Sequence, residues 1–242
     1  MKQWYIWLCC ISFFAAPIWG QQLQDNDSIG VVAIKKEAPM ALRFGIDLYR
    51  PIRSQIKEDF EGFELVGDLK VYNDLYVALE LGNENRTLQS EQLNFSTKGN
   101  YLKLGIDYNM YDNWKGMNNQ VYIGLRFGNS LHQQTVNNYT LYSTTHFWPE
   151  ALISNSNATK TSPNLSAQWI EVLAGIKGQI IHNFYLGLSL RLNRLLNQKQ
   201  PDNFNNLYLP GFNKVTDENN FGVGFNYTLT YSIPFRFGKK TD

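Results

Sequence analysis

The stretch FYLGLSLRLNR, residues 184–194, decides the fold of this chain. Its apolar side chains occupy every second position: Phe184, Leu186, Leu188, Leu190 and Leu192. The positions between them carry aromatic, small, polar or charged residues: Tyr185, Gly187, Ser189, Arg191 and Asn193. Because successive side chains of a β-strand point to opposite faces, this pattern predicts a strand with one apolar and one polar face. Its length is about that of a tilted transmembrane β-strand.

The same alternation recurs in further segments of similar length. We predict strands near residues 41–50, 61–71, 75–84, 100–110, 120–128, 168–178, 184–194 and 220–231. Neither a helical period nor βαβ spacing is present, and bacterial single-chain barrels have an even number of strands. The sequence therefore predicts an all-β fold, an eight-stranded antiparallel up-and-down transmembrane β-barrel over residues 40–238.

The predicted connections alternate in length. Short ones lie around residues 72–74, 111–119 and 182–183, whereas long ones cover residues 50–60, 85–99, 129–167 and 195–219. Short turns at one end and long loops at the other are typical of outer-membrane barrels, whose long loops are extracellular. We therefore expect the short turns to face the periplasm.

The N-terminus carries a targeting pattern. Lys2 precedes an apolar stretch over residues 4–14, which is followed by small residues up to Gly20. This layout predicts a signal peptide over residues 1–20, and residues 21–39 are predicted to form a flexible periplasmic N-terminal arm. Beyond the signal there is no run of about 18 apolar residues, so only a closed barrel could cross a membrane. We predict a location in the outer membrane of a Gram-negative bacterium.

Alternation alone leaves open which face of the barrel lies inside. A soluble periplasmic carrier of the lipocalin type would place the leucines inside and the charges outside. Three features favour the reverse arrangement, with the apolar face toward outer-membrane lipid. The polar face is rich in glycine, aromatic residues collect at strand ends, and the chain closes with an alternating apolar run: Tyr231, Ile233, Phe235 and Phe237.

The polar face carries charges of both signs in equal number. Its cations are Arg43, Lys70, Lys103, Arg126, Lys177 and Arg191, and its carboxylates are Asp47, Glu64, Asp68, Glu80, Asp107 and Glu171. Buried charges are tolerated when they are paired and hydrogen-bonded. We therefore predict a structural ion-pair network. Because an eight-stranded barrel is just wide enough for side chains to fill, a general diffusion pore is not expected.

No catalytic residue, metal site or cofactor is predicted. The histidines are His132, His146 and His182, and the first two lie in the long third loop. This position leaves open, as an alternative, an outer-membrane lipid-modifying enzyme of the acyltransferase or deacylase type. No signature of such enzymes, no metal-ligand spacing and no phosphate-binding glycine loop is found. The net charge of +1 gives no reason to expect a nucleic-acid partner.

Aromatic residues in two of the long loops form a possible binding surface. They are Tyr139, Tyr142, Phe147, Trp148, Tyr208 and Phe212. Long loops are usually functional or disordered. These residues either present a binding surface to the outside or cap the mouth of the barrel, and the sequence leaves both alternatives open.

Three short stretches carry a family resemblance: WGQQ at residues 19–22, GIDLY at residues 45–49 and GIDY at residues 105–108. In these features the chain resembles the uncharacterised outer-membrane β-barrel proteins of Bacteroidetes, a family with a domain of unknown function. The resemblance implies fold and location and transfers no catalytic residue. We expect a non-enzymatic protein that acts through its long extracellular loops or as a subunit of an envelope complex. Its expected partners are outer-membrane lipid and other outer-membrane or periplasmic proteins.

Overall fold

The computed structural model describes residues 40–90, 93–112, 118–142, 151–155, 159–201, 205–215 and 220–235. The predicted signal peptide and N-terminal arm lie outside the described residues. The elements, in chain order, are β1 (Met40–Asp47), α1 (Tyr49–Ile56), β2 (Phe60–Tyr72), β3 (Leu75–Gln89), β4 (Leu93–Asn109), β5 (Gln120–Tyr142), β6 (Ala151–Asn155), β7 (Lys160–Ile181), β8 (Phe184–Gln198), β9 (Tyr208–Leu209), β10 (Asn213–Lys214) and β11 (Phe221–Phe235).

Eight long strands close into a ring of antiparallel neighbours. Their order is β1, β2, β3, β4, β5, β7, β8 and β11, and β11 pairs again with β1. The predicted eight-stranded antiparallel barrel is thereby confirmed. A closed ring pairs the strand edges that an open sheet would expose.

Several strands are longer than the alternation predicts, and the expectation of long loops over residues 85–99 and 129–167 was wrong in large part. β3 and β4 form one long hairpin, and β5, β6 and β7 form a second extended structure. Where a strand extends beyond an apolar environment, its outer side chains no longer need to be apolar. The backbone hydrogen bonds to the neighbouring strands can continue there, because they do not depend on the side chains. The alternation therefore stops before the strand does.

These extensions form what we call the projecting sheet, residues 87–89, 93–96, 135–142, 151–155 and 160–166. Pairing between β2 and β3 ends at Phe60 and Arg86, and pairing between β7 and β8 ends at Ala167 and Gln198. The projecting sheet consequently lies beyond the closed ring, at the end opposite the short turns.

Residues 50–60, predicted as a loop, contain all of the helix α1 except its first residue, Tyr49. Pro51 is in its first turn, where a missing backbone N–H leaves no intrahelical hydrogen bond unmade. The sequence missed this helix because a helix of two turns is too short to establish a period. Among the described residues, no helix is long and apolar enough to cross a membrane.

The two faces of the barrel differ sharply in chemistry. The outward positions carry exposed large apolar side chains on every long strand, among them Phe44, Leu65, Leu104, Leu125 and Leu190. The inward positions are mostly charged, polar, aromatic or small, and most of them are buried. This orientation is the reverse of the one that a soluble lipocalin-like carrier requires.

Inward glycines make room for inward aromatic rings on neighbouring strands. Gly128 of β5 lies opposite Trp169 of β7, and Gly82 of β3 lies opposite Tyr101 of β4. A methyl group on either glycine would overlap the ring across from it. Each ring therefore lies flat against the barrel wall, and the centre of the lumen stays free for longer charged side chains.

Candidate functional site in the lumen and at its mouth

The lumen is lined by charged side chains that are almost completely buried. All twelve predicted lumen charges lie inside the barrel, and none is more than 9% exposed. Two further buried charges, Arg50 and Glu84, join them. The buried set among the described residues is thus balanced, with seven cations and seven carboxylates: Arg43, Arg50, Lys70, Lys103, Arg126, Lys177 and Arg191 with Asp47, Glu64, Asp68, Glu80, Glu84, Asp107 and Glu171.

Four of these groups occupy the middle of the lumen. Arg191 Nη1 donates to Glu80 Oε2 at 2.7 Å and to Glu171 Oε2 at 2.9 Å, and its Nη2 donates to Glu80 Oε1 at 2.9 Å. Lys103 Nζ lies 3.1 Å from Glu171 Oε1 and 3.7 Å from Glu80 Oε2. Because β3 and β8 are not neighbours in the ring, the pair of Glu80 with Arg191 crosses the lumen and ties opposite walls together.

Arg126 extends this cluster toward the short turns. Its Nη1 and Nη2 donate to the two oxygens of Asp107 at 2.7 and 2.9 Å, and its Nε donates to Glu80 Oε1 at 3.1 Å. A two-pronged guanidinium–carboxylate pair fixes the orientation of both side chains. Arg126 therefore joins two carboxylates in one rigid unit.

A separate cluster lies nearer the short turns. Asp68 accepts hydrogen bonds from Arg43 Nε and from Lys177 Nζ, both at 2.6 Å. The Arg43 guanidinium also lies over two aromatic rings, 4.7 Å from the centre of Tyr76 and 5.6 Å from that of Tyr185. These rings attract the cation through their π-faces.

At the end of the lumen opposite the short turns, Arg50 at the start of α1 pairs with several carboxylates. Its Nη1 lies 2.9 Å from Asp47 Oδ2 and 3.3 Å from Glu64 Oε1, and its Nε donates to Glu84 Oε1 at 2.9 Å. Tyr101 donates to Glu64 Oε2 at 2.6 Å. One cation from the helix thus neutralises carboxylates from three strands and anchors α1 to the barrel.

Residues 205–215, which we call the cap segment, fold down into the mouth of the barrel. Tyr208 Oη and the backbone N–H of Gly211 both donate to Glu84 Oε2, at 2.7 and 3.0 Å. The ring of Phe212 meets that of Trp169 edge to face, with centres 6.0 Å apart. Burial, together with the neighbouring Glu84 carboxylate, raises the pKa of Tyr208 well above its ordinary value.

Gly211 allows the cap segment to turn at this point. Its φ of +80° lies in the left-handed region, and a side chain there would also overlap the ring of Tyr101. The cap segment then continues into the apolar cluster at the mouth, formed by Tyr101, Ala167, Trp169, Leu195, Leu209, Phe212 and Val215.

The comparison with protein families gives one match over nearly the whole chain. The model described as "Domain of unknown function (DUF6048)" matches residues 1–239. The chain belongs to this family. The expectation of a family with a domain of unknown function is confirmed, and the bacterial phylum stays a prediction.

Other comparisons add little for this DUF6048 chain. No curated protein matches it. One similar solved structure is "The crystal structure of Ail, the attachment invasion locus protein of Yersinia pestis", with 11% sequence identity and a TM-score of 0.40. The match covers 81% of the DUF6048 chain and 99% of the Ail chain. The barrel assignment therefore rests on the strand pairing of the DUF6048 chain itself.

The aromatic loop residues divide between the cap and the projecting sheet. Tyr208 and Phe212 are 3% and 1% exposed, so they cap the mouth and present no outer binding surface. Tyr139 is half-buried in β5, opposite Leu93. The side chain of Tyr142 and the whole of Phe147 and Trp148 lie outside the described residues.

The histidines show no catalytic arrangement within the described part of the chain. His132 is buried on the inner face of β5, beside the Asn206 side chain of residues 205–215. His182 is exposed in a short turn, and His146 lies outside the described residues. The described residues also contain no group of three His, Cys, Asp or Glu side chains that could hold a metal ion.

Two of the buried charges, Arg50 and Glu84, were not predicted from the sequence, for different reasons. Glu84 is the last residue of the predicted strand 75–84 and continues its inward series after Glu80 and Gly82, but the alternating apolar partners that mark the faces end at Leu81. Arg50 lies in α1, where the period-2 pattern of the strands no longer applies. Its inward orientation depends on where β1 ends.

Proposed function

We propose that the protein is a non-enzymatic β-barrel of the bacterial outer membrane that binds other envelope proteins through its projecting sheet. One observation carries this proposal: a continuous apolar exterior surrounds a lumen filled by paired charges. A soluble protein rarely exposes apolar patches larger than a few hundred Å². Large apolar side chains exposed on every long strand are stabilised in lipid and would promote aggregation in water.

The contents of the lumen support a role without transport. Arg191 connects Glu80 to Glu171, so paired side chains cross the middle of the barrel. Separating such pairs leaves buried charges uncompensated, which costs about 3–5 kcal/mol for each broken pair. The barrel is therefore a stiff support that holds the projecting sheet beyond the membrane surface.

The projecting sheet has the chemistry of a water-exposed binding surface. Thr135 and Thr161 share a hydrogen bond of 3.0 Å, and Thr87 and Ser96 share one of 2.9 Å. Asn137 Nδ2 donates to Ser96 Oγ at 2.9 Å. Hydroxyl and amide groups of this kind suit a polar protein partner and would be poorly solvated in lipid.

The projecting sheet can be shortened without touching the ring. Val136 of β5 pairs with Lys160 of β7, so a two-residue Asn-Gly turn can replace residues 137–159. We expect this variant to remain in the outer-membrane fraction and to keep its folded form, while the envelope proteins that co-purify with the parent protein are lost. A variant with the same Asn-Gly turn in place of His182-Asn183, at the opposite end, is the matched control and should keep them.

Three outcomes would contradict the proposal. Release of the protein with the periplasm would exclude the membrane location. Recovery of the same co-purifying proteins after shortening would exclude the projecting sheet as the binding surface. A changed lipid A profile in cells that carry the double variant His132→Ala/His146→Ala would indicate a lipid-modifying enzyme, and mass spectrometry detects that change.

A further inference from the structure

The barrel wall has a seam beside β1. β1 ends at Asp47 and pairs with β2 only over Leu65–Leu69 and with β11 only over Thr228–Phe235. The last backbone hydrogen bond of this chain segment to β11 runs from Leu48 N to the Tyr227 carbonyl oxygen. Residues 60–64 of β2 and 221–226 of β11 therefore have no β1 residue between them.

Helix α1 occupies this seam as a wedge. On the β2 side, the Gly62 backbone N–H donates to Ser54 Oγ at 2.9 Å, and the Arg53 guanidinium lies 4.5 Å from the centre of the Phe60 ring. On the β11 side, the Tyr49 and Phe225 rings have centres 4.5 Å apart. The seam is thus closed by side chains, whereas backbone ladders close the rest of the ring.

A cavity of about 110 Å³ lies behind the wedge. Its lining includes the outward residues Val223 and Phe225 together with the inward residues Gly224 and Asn226 of the same strand. An intact pair of strands would separate these two faces. The cavity therefore passes the edge of β11 and links the exterior of the barrel to the mouth of the lumen.

The charged groups around the cavity are mostly cations. Among the described residues, Arg50, Arg53, Lys103 and Arg191 line it together with a single carboxylate, Glu84. Both oxygens of Glu84 already accept hydrogen bonds, from Arg50 on one side and from Tyr208 and Gly211 on the other. The carboxylate therefore repels an incoming anion only weakly.

Arg53 stands outside the balanced set of buried charges. It donates to Tyr49 Oη at 3.1 Å and stacks on Phe60, and it forms no ion pair with a carboxylate of the described residues. Deeper in the cavity, Arg191 Nε and Asn193 Oδ1 are buried and have no hydrogen-bond partner within the described part of the chain. The site thus offers an uncommitted cation at its entrance and an unused N–H donor at its base.

We propose that this cavity binds the phosphate headgroup of an anionic amphiphile, whose hydrocarbon chain lies outside against Val223 and Phe225. Arg53 and Arg191 would hold the phosphate, since guanidinium groups match its geometry and charge. The position of the opening, beside exposed apolar side chains, favours an amphiphile over a free anion. The inference rests on the proposed membrane location.

The test measures binding to the purified full chain in neutral dodecyl maltoside by native mass spectrometry. We expect one copy of dodecyl phosphate to bind at least about tenfold more tightly than inorganic phosphate or dodecyltrimethylammonium. A tenfold change corresponds to roughly 1.4 kcal/mol, which burial of about two methylene groups of the hydrocarbon chain would supply. Equal affinity for inorganic phosphate would overturn the assignment to an amphiphile.

Two variants separate a built site from general charge attraction. Arg53→Gln should weaken dodecyl phosphate binding roughly tenfold, whereas Lys57→Gln, an equal charge change at the exposed end of α1, should leave it within about twofold. Gly224→Leu leaves the charge unchanged and places a side chain in the cavity that Gly224 lines. The side chain can be accommodated, because the nearest atoms to an added Cβ are 3.8 and 3.9 Å away. This variant should also abolish binding.

Equal effects of Arg53→Gln and Lys57→Gln, or full binding by Gly224→Leu, would overturn the proposal. A failure of the proposed function is seen separately, because fractionation and partner recovery are measured without added amphiphile. If the parent protein fractionates with the outer membrane but does not bind dodecyl phosphate, the cavity assignment is contradicted and the proposed function is not.

Discussion

At the level of single residues, glycine and aromatic positions on neighbouring strands are fitted to one another. The Trp169 ring lies where a Gly128 side chain would be, and its indole Nε1 donates to Glu171 Oε1 at 2.7 Å. This position of the ring therefore supports both the wall packing and the central ion-pair cluster. A larger residue at 128 would displace the ring and, with it, a hydrogen bond to a buried carboxylate.

Gly128→Ala should lower the free energy of unfolding by about 1–3 kcal/mol, because overpacking of this kind forces side chains from their preferred positions. Gly178→Ala is the matched control, since no atom of the described residues lies within 4 Å of an added Cβ there. The control should leave stability unchanged or raise it by less than about 1 kcal/mol. Urea unfolding in detergent, followed by tryptophan fluorescence, measures both. Equal losses of unfolding free energy for the two variants would show that the Trp169 ring does not depend on the space beside Gly128.

The sequence was sufficient to predict which residues face inward but not which of them pair. Period 2 fixes the face of Glu80 and of Arg191, because alternate side chains of a strand share a side. Their contact depends on the ring order, on the register of each strand and on the width of the lumen. These are properties of the closed barrel, and no local pattern contains them.

At the level of elements, the predictions failed where a strand changed its surroundings. β5 continues well beyond residue 128, the end of the predicted strand, because backbone pairing persists after the apolar outer face ends. For a related reason, α1 was missed, and the sequence left open whether Tyr208 and Phe212 cap the mouth or present a binding surface. Both α1 and the cap segment fold against the lumen mouth, so their structure is set by tertiary contacts such as those of Arg50 and Tyr208. Segments this short carry no periodic pattern from which such contacts can be predicted.

The cap segment should respond to alkaline pH through Tyr208. Burial and Glu84 raise the pKa of this phenol, so the folded protein keeps its proton when the unfolded chain, with a pKa of about 10, has lost it. The stabilisation is therefore fully present below about pH 10 and is lost as the pH rises toward the pKa of the folded state. Tyr208→Phe removes this dependence and loses the hydrogen bond to Glu84, worth about 1–3 kcal/mol at neutral pH.

Unfolding midpoints measured from pH 8 to 11 test this expectation. The stability of the parent protein should fall more steeply above pH 10 than that of Tyr208→Phe. Tyr72→Phe, at an exposed ring beside a short turn, is the control and should follow the parent protein. Parallel pH profiles for the parent protein and Tyr208→Phe would exclude a role for this phenol in holding the cap segment.

At the level of the whole molecule, two layers close the lumen. The cap segment covers the mouth, and below it the cluster around Glu80, Lys103, Glu171 and Arg191 spans the interior. The layers are chemically different, since the first is largely apolar and the second is ionic. A barrel that was closed only by its cap segment would resemble a gated pore, whereas a barrel closed by its ion-pair network is filled at its centre.

Planar bilayer recordings distinguish these cases. Because the network fills the centre, we expect no conductance steps from the parent protein, and none after residues 202–218 are replaced by a short Gly-Ser linker. The double variant Glu80→Ala/Arg191→Ala in this shortened chain removes both partners of one ion pair across the lumen. Because one cation and one carboxylate are lost, neither partner of that pair is left as an unpaired charge. This variant should admit water and small ions and give steps, provided that circular dichroism shows an intact barrel. Conductance after removal of the cap segment alone would mean that the network leaves a continuous path and that the cap is the gate.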